Sequence, residues 1–293
     1  MVVEQKMGIK EKPIPGDTDH TVAMGVRAAK KAIEKAGIDP KEIDLVIYIG
    51  EEYKEYPVWT AGIKLQQEIG ATNAWAFDTA LRCGTTVMAL KLAKDMMLQD
   101  DSLNTVLLAG GYRNGDLINF ANPNTRFMFN LAAGGGAIIL RKGHERNRVL
   151  QSHLITDGTF SEDVIIPAGG TKQPLTEHAF QEGLNYFEVP DPAGMKARLE
   201  EKSMANFIRC IEKALEKSGY TKSDIDYAAI LHMKRSAHDY VLSELGLSEE
   251  QSIYLENYGH IGQFDQILSL ELAEEQGKLQ DGSIVVLVSA GIG

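Results

Sequence analysis

Residues 32–50, AIEKAGIDPKEIDLVIYIG, and residues 214–232, ALEKSGYTKSDIDYAAILH, repeat one pattern 182 positions apart. The alanine, the Glu-Lys pair, the glycine and Ile-Asp all align, and most other pairs are conservative. The likeness continues where ALKLA at 89–93 matches SLELA at 269–273. Each of these leads into an apolar strand, NTVLLAG at 104–110 and GSIVVLVSA at 282–290. Three matches in the same order at nearly constant offset imply two homologous halves, residues 1–150 and 151–293. Each half reads as helix, strand, helix, strand, which predicts an α/β fold of mainly parallel sheets covered on both faces. Ligands of such sheets gather outside the carboxyl ends of the strands. That directs attention to the loop after Gly50, the turn at Cys83, His232 at a strand end and the turn at His260.

At 293 residues the chain is long enough to bury a sizeable core. Its net charge of −11 argues against nucleic acid or an anionic membrane as the main partner. The first dozen residues carry both charge signs without a signal-type apolar stretch, and no run nears eighteen apolar residues, so a soluble cytoplasmic protein is expected. The two cysteines, Cys83 and Cys210, lie 127 positions apart with no metal-ligand spacing, so neither a disulfide framework nor a metal site is expected. The basic run at 141–148 reads as a solvated turn. The glycine runs at 110–111 and 134–136 lack the spacing of a phosphate-binding loop.

Cys83 lies in AFDTALRCGTTVMALKLA, residues 76–93, where a short strand breaks and an apolar helix begins. A thiol at a helix N-terminus feels the positive end of the helix dipole, which favours the nucleophilic thiolate, and Arg82 adds to this. Cys83 also fits the role of a small buried hydrophobe. Cys210, in the middle of a helix with apolar neighbours, reads as core. His232 follows the apolar strand 227–231, and His260 sits in a glycine-flanked turn before a helix. The repeat makes the His260 turn the counterpart of the cysteine turn and brings Cys83, His232 and His260 toward one centre. A thiolate with two imidazoles is suited to thioester chemistry: sulfur takes the acyl group and N–H donors hold the oxygen that becomes negative.

Over nearly its whole length the chain resembles the ketoacyl-ACP synthase III branch of the thiolase superfamily. Residues 1–12, MVVEQKMGIKEK, are similar to the family's WIVERTGIRER stretch, and AFD…ALRCG to its nucleophile turn. ITDGT at 155–159 resembles H-x-DGS, and the 282–293 segment resembles its penultimate strand and glycine turn. The resemblance implies a five-layered αβαβα thiolase fold with two duplicated halves, usually a homodimer. The first half then carries the nucleophile and the second the catalytic histidines. It implies an acyltransferase that needs no cofactor and takes acyl-CoA or acyl carrier protein as substrate and partner. Cys83 would be acylated and then condensed, Claisen fashion, with a second thioester such as malonyl on the carrier. It places His232 on the histidine of the HQAN motif and His260 on the asparagine of GN.

Departures from the family pattern surround those positions. HQAN reads His-Met-Lys-Arg at 232–235, His260 replaces the asparagine, CSGF reads Cys-Gly-Thr-Thr at 83–86, and FGDGAGA reads LAAGGGA at 131–137. The resulting Cys-His-His set is similar to that of the elongating ketoacyl synthases. Lys234 and Arg235, beside His232, stand where an acidic carrier or a CoA phosphate would approach. Glu52, after the strand 45–50, resembles the general base of hydroxymethylglutaryl-CoA synthase, which implies a non-decarboxylating condensation as an alternative. Acyl transfer to an alcohol or amine, and a catalytically silent binding protein, are further alternatives. The resemblance also expects one strand before residue 1 and one after residue 293, without which each sheet exposes an edge.

Overall fold

Each half of the chain begins with a helix that a left-handed glycine stops, followed by a fully buried strand. In the first half α1 (Thr21–Ala36) leads to β1 (Leu45–Tyr48), α2 (Ala61–Ile69), β2 (Trp75–Asp78), α3 (Thr85–Gln99), β3 (Thr105–Tyr112) and β4 (Gly134–Arg141). After a short helix α4 (Glu177–Gln181), the second half runs α5 (Pro192–Ser218), β5 (Tyr227–Ile230), α6 (Arg235–Leu245), α7 (Asp265–Glu275) and β6 (Val285–Val288). These come from a computed structural model that describes residue 4 and residues 7–292. Five residues of the opening stretch likened to WIVERTGIRER, and Gly293, lie outside the described residues.

The repeat is visible in the caps. Gly37 (φ 64°) ends α1 and Gly219 (φ 81°) ends α5, each donating its N–H back into the last turn. A capping box follows in both copies, Asp39 with Glu42 and Thr221 with Asp224. β1 and β5 then begin 182 positions apart, at Leu45 and Tyr227. Each of these eight strand residues is buried, which is why neither strand alternates in polarity.

The first sheet has the order β2-β1-β3-β4, with β1 parallel to β2 and β3. The second pairs β5 with β6 in parallel. One face of the first sheet, through Val46, Tyr48 and Leu107, packs on Val26, Ile33 and Leu65 of α1 and α2. The other face, through Leu45, Ile47 and Leu108, packs on Ala89, Leu90 and Ala93 of α3. Tyr227 and Ala229 of the second sheet meet Ala273 of α7, while Ala228 and Ile230 meet Ile211 of α5 and Val241 of α6. The layers are therefore α1/α2, first sheet, α3/α7, second sheet and α5/α6: the αβαβα thiolase architecture. Each fully buried Leu or Ile among these contributes roughly 1.5–3 kcal/mol.

The strands are mainly parallel, as expected, and β4 is the exception. Residues 134–141 run antiparallel to β3, with Gly111 opposite Gly135. A methyl group on Gly111 would stand 2.3 Å from the Thr21 carbonyl oxygen, and one on Gly135 2.7 Å from that of Met24. These glycines let α1 lie directly on the strand backbones, which gives the two glycine runs a packing role. The DGT at 157–159 is likewise a turn device. Asp157 accepts from the N–H and hydroxyl of Thr159 and from Lys202, and these hydrogen bonds hold its carboxyl down at about 2. Among the described residues β2 and β4 edge the first sheet and both strands of the second are edges, and no helix is long and apolar enough to cross a membrane.

Candidate active site

The cysteine turn is built by short-range hydrogen bonds around a strained residue. β2 ends at Asp78, whose carboxylate accepts the backbone N–H groups of Ala61 (2.9 Å) and Gly62 (2.7 Å) at the start of α2. Arg82 then adopts a left-handed conformation (φ 48°), rare for a side chain of its size. The Leu81 N–H donates to the Thr85 hydroxyl (2.7 Å), which donates to the Arg82 carbonyl (2.6 Å). Cys83 is thereby presented just before Gly84, the N-cap of α3, as the sequence predicted. From the second half, the Ser289 hydroxyl donates to the Cys83 carbonyl (2.5 Å). A methyl group on Gly291 would stand 2.6 Å from Arg82 Cβ and 3.3 Å from the Cys83 nitrogen, so only glycine allows the chain to pass this close.

Both predicted histidines stand in the second half, and His260 reaches this turn. His260 Nε2 lies 3.1 Å from Cys83 Sγ across 177 residues of sequence. Its Nδ1 lies 2.5 Å from Asp265 Oδ2, inside the protein. Burial opposes a charge on His260, yet Asp265 and Cys83 together raise its pKa well above the ordinary value. His232 follows β5, and its backbone N–H donates to the same Asp265 oxygen (2.6 Å). The amide nitrogen of Asn130 lies 3.2 Å from His232 Nδ1. An amide nitrogen only donates, so Nδ1 accepts and the ring proton sits on Nε2. That Nε2 is buried with no partner in the protein. Burial also pushes the pKa of His232 down to about 4, leaving a neutral ring. The three side chains line one cleft of about 2450 Å³.

The acidic loop differs from expectation. Glu52 is mostly exposed, with 70% of its side chain accessible, and stands 3.8 Å from Arg82. The buried carboxylate is its neighbour Glu51, 4% accessible, which accepts from Asn114 Nδ2 (2.7 Å) and lies 3.7 Å from Arg82. The strand ends at Tyr48, two residues before the expected end, and in the loop beyond it Glu51 is buried and Glu52 exposed. Desolvation raises the Glu51 pKa, against the pull of Arg82 and Asn114. Arg82 is thus engaged with these glutamates. Arg235 is drawn away from the cleft to Asp239 (2.9 Å) and Glu249 (3.0 Å) and stacks on Tyr254. Lys234 is exposed on the cleft wall. Cys210, midway along α5, is half-buried, and burial raises its thiol pKa. Asn130, Glu51 and Asp265 were not singled out from the sequence. Only the acid five residues after His260, on a turn before a helix, left a signal there. Among the described residues no group of three or more His, Cys, Asp or Glu is arranged to hold a metal.

The buried histidines give stability a defined pH dependence. His232 and His238 both have pKa values of about 4, below the unfolded value near 6.5, because burial disfavours their charged forms. The unfolded chain therefore binds more protons between these values, and stability is lost as pH falls from about 6.5 to 4, by up to about 3 kcal/mol per ring. His260 acts in the opposite sense, its contribution complete below its unfolded pKa and lost only as pH rises through the folded one. Chemical denaturation of the protein and of H238Q at a series of pH values should show a shallower acid slope in the variant. Equal slopes would contradict the assignment.

The chain has relatives among known proteins. Residues 77–158 match the family described as 3-oxoacyl-[acyl-carrier-protein (ACP)] synthase III, and residues 215–293 its C-terminal family. Beta-ketoacyl-[acyl-carrier-protein] synthase III of Brucella anthropi is 26% identical over 297 residues, covering 99% of this chain and 87% of the relative. The crystal structure of the Pseudomonas aeruginosa 3-oxoacyl-(acyl carrier protein) synthase III superposes with TM-score 0.82 at 21% identity, over 99% of this chain and 85% of that one. Xanthomonas campestris OleA, solved with lauric acid and lauroyl-CoA, superposes with TM-score 0.80 at 16% identity, over 98% and 83%. The cysteine turn and both histidines fall within the matched segments, and the chain belongs to the ketoacyl-ACP synthase III-like branch of the thiolase superfamily, a group of acyltransferases.

Proposed function

We propose that the protein condenses two acyl thioesters through an acyl-Cys83 intermediate, the second thioester being a malonyl group on acyl carrier protein or CoA. The observation that carries this reading is the 3.1 Å approach of His260 Nε2 to Cys83 Sγ at the start of α3. In the first half-reaction sulfur attacks the acyl-CoA carbonyl and its proton goes to His260. The CoA thiolate leaves, takes up that proton and departs as the thiol. The backbone N–H of Cys83, on the residue that bears the sulfur, is assigned to the developing oxyanion. In the second half-reaction His232 Nε2–H donates to the malonyl thioester carbonyl, carbon dioxide leaves, and the enolate carbon attacks acyl-Cys83. The carbon–sulfur bond then breaks, and the Cys83 thiolate takes a proton from solvent by way of His260, the first proton having left with CoA. Lys234, exposed on the cleft wall, suits an acidic carrier or CoA phosphate. Acyl-CoA and carrier-borne acyl groups are substrates and require no bound cofactor. A homodimeric cytoplasmic enzyme fits this reading.

The test loads the protein with acyl-CoA, follows Cys83 by mass spectrometry, then adds malonyl thioester. An acyl mass on Cys83 that disappears with release of carbon dioxide and a 3-oxoacyl product is expected. An intact protein that never gains the acyl mass would refute the reading. A second reading draws on Glu51, a buried carboxylate of raised pKa on the same cleft. It has Glu51 remove an α-proton from an acyl thioester without decarboxylation. Condensation of two acyl-CoA molecules with no malonyl donor, abolished by E51Q, would favour it.

A further inference from the structure

Asp265 is the one fully buried acidic side chain at the site, and the acyl-transfer steps above make no use of it. It opens α7, where a carboxylate also suits the positive helix end. Oδ1 accepts the Ile261 N–H (2.7 Å), and Oδ2 meets both the His232 N–H (2.6 Å) and His260 Nδ1 (2.5 Å). Three donors thus fix a carboxylate that would be costly to bury alone. The two backbone donors set the position of the carboxylate, and the carboxylate sets the ring. A carboxylate only accepts, so the proton of the bond to His260 belongs to Nδ1, and Nε2 faces sulfur.

We propose that Asp265 is a positioning residue that holds His260 with its proton on Nδ1 and its Nε2 on Cys83 Sγ, making Cys83, His260 and Asp265 a proton-transfer triad. The proton moves from sulfur to Nε2, leaving a thiolate and an imidazolium flanked by the carboxylate. The total charge of the three groups does not change. The logic is that of the Ser-His-Asp and Cys-His triads, which are recognised by geometry and role. Because Asp265 also holds the backbone of His232, one side chain sets the spacing of both rings. Other titratable groups face His260 from the elements around it: Cys83 from the α3 turn, Glu51 from the loop after β1 with Arg82 paired to it, Tyr112 on β3 at a ring distance of 6.2 Å, and His232 after β5. Of these, Cys83 joins Asp265 in favouring the imidazolium. The proposal rests on the acyl-transfer reading only for what the activated sulfur does next.

Alkylation of Cys83 by iodoacetamide, read by peptide mass between about pH 5 and 9, follows the reactive sulfur with no substrate present. D265N is expected to slow alkylation near pH 6 by at least about 10-fold and to move the profile to higher pH, with rates converging in alkali. In an H260N background D265N should add nothing, because Asp265 acts through the ring. A D265N profile that superimposes on the parent's, or an equal slowing in the H260N background, would overturn the proposal. Should D265N fail to fold, the unaltered protein labelled with 15N-histidine decides. A His260 Nδ1 proton retained across the range supports the triad, and a mixture of tautomers overturns it. Failure of the condensation assay would leave these alkylation results readable, so the two readings fail separately.

Discussion

C83A is expected to gain no acyl mass from acyl-CoA and to lose condensation by at least about 1,000-fold, as when the nucleophile of a concerted set is removed. The reason is local. The left-handed Arg82 and the Thr85 hydrogen bonds present one sulfur at the head of α3, while the Thr85 hydroxyl is taken up by the Leu81 N–H and the Arg82 carbonyl. C210A serves as the control, since Cys210 lies midway along α5 and burial raises its thiol pKa. It should retain acylation at the parent rate. Turnover that survives in C83A, or acyl groups found on Cys210, would remove the basis for the mechanism. Size change is a minor concern, because Cys83 is only half-buried and alanine keeps the turn geometry.

H232A is expected to separate the two half-reactions. His260 is the ring bonded to sulfur, while His232 turns its Nδ1 to Asn130 and leaves Nε2 without a protein partner. Loss of His232 should therefore leave acylation of Cys83 within a few-fold of the parent and reduce condensation roughly 100- to 1,000-fold, the usual cost of one oxyanion donor. The acyl-enzyme would then accumulate and be visible as a persistent mass shift after malonyl thioester is added. H260A should instead slow acylation itself. If H232A slowed both steps equally, the division of labour between the rings would be wrong. The neutral state of His232 adds a pH signature: with a pKa of about 4, its Nε2–H stays in place through the neutral range, and only strong acid disturbs it.

Much of this was readable from the chain because it depends on short-range chemistry. Gly37 and Gly219 stop equivalent helices, the capping boxes recur, and β1 and β5 start 182 residues apart. Local stops and starts are encoded where they act, so duplication can be seen by laying the halves side by side. The same applies to Cys83, whose strand-to-helix turn is written in adjacent residues. The convergence of Cys83 and His260 followed from the repeat, since homologous halves place equivalent turns at equivalent ends of their sheets.

Other features depended on tertiary structure. Glu51 and Glu52 are indistinguishable as neighbours in sequence, and one residue of difference at a strand end decides which carboxylate is buried beside Arg82. Arg235 looked as available as Lys234 until Asp239, Glu249 and Tyr254 claimed it. The glycines of β4 carry no side-chain pattern, and only the close approach of α1 explains them. Sequence by itself determined the two-halved α/β fold, the strand-to-helix turn at Cys83 and the approach of His260 to it. Tertiary structure decided protonation and orientation: Asn130 places the His232 proton across 102 residues, and Asp265 couples both rings to one carboxylate. A proton's position depends on whichever donor or acceptor lies within about 3 Å, and chain separation carries no record of that distance.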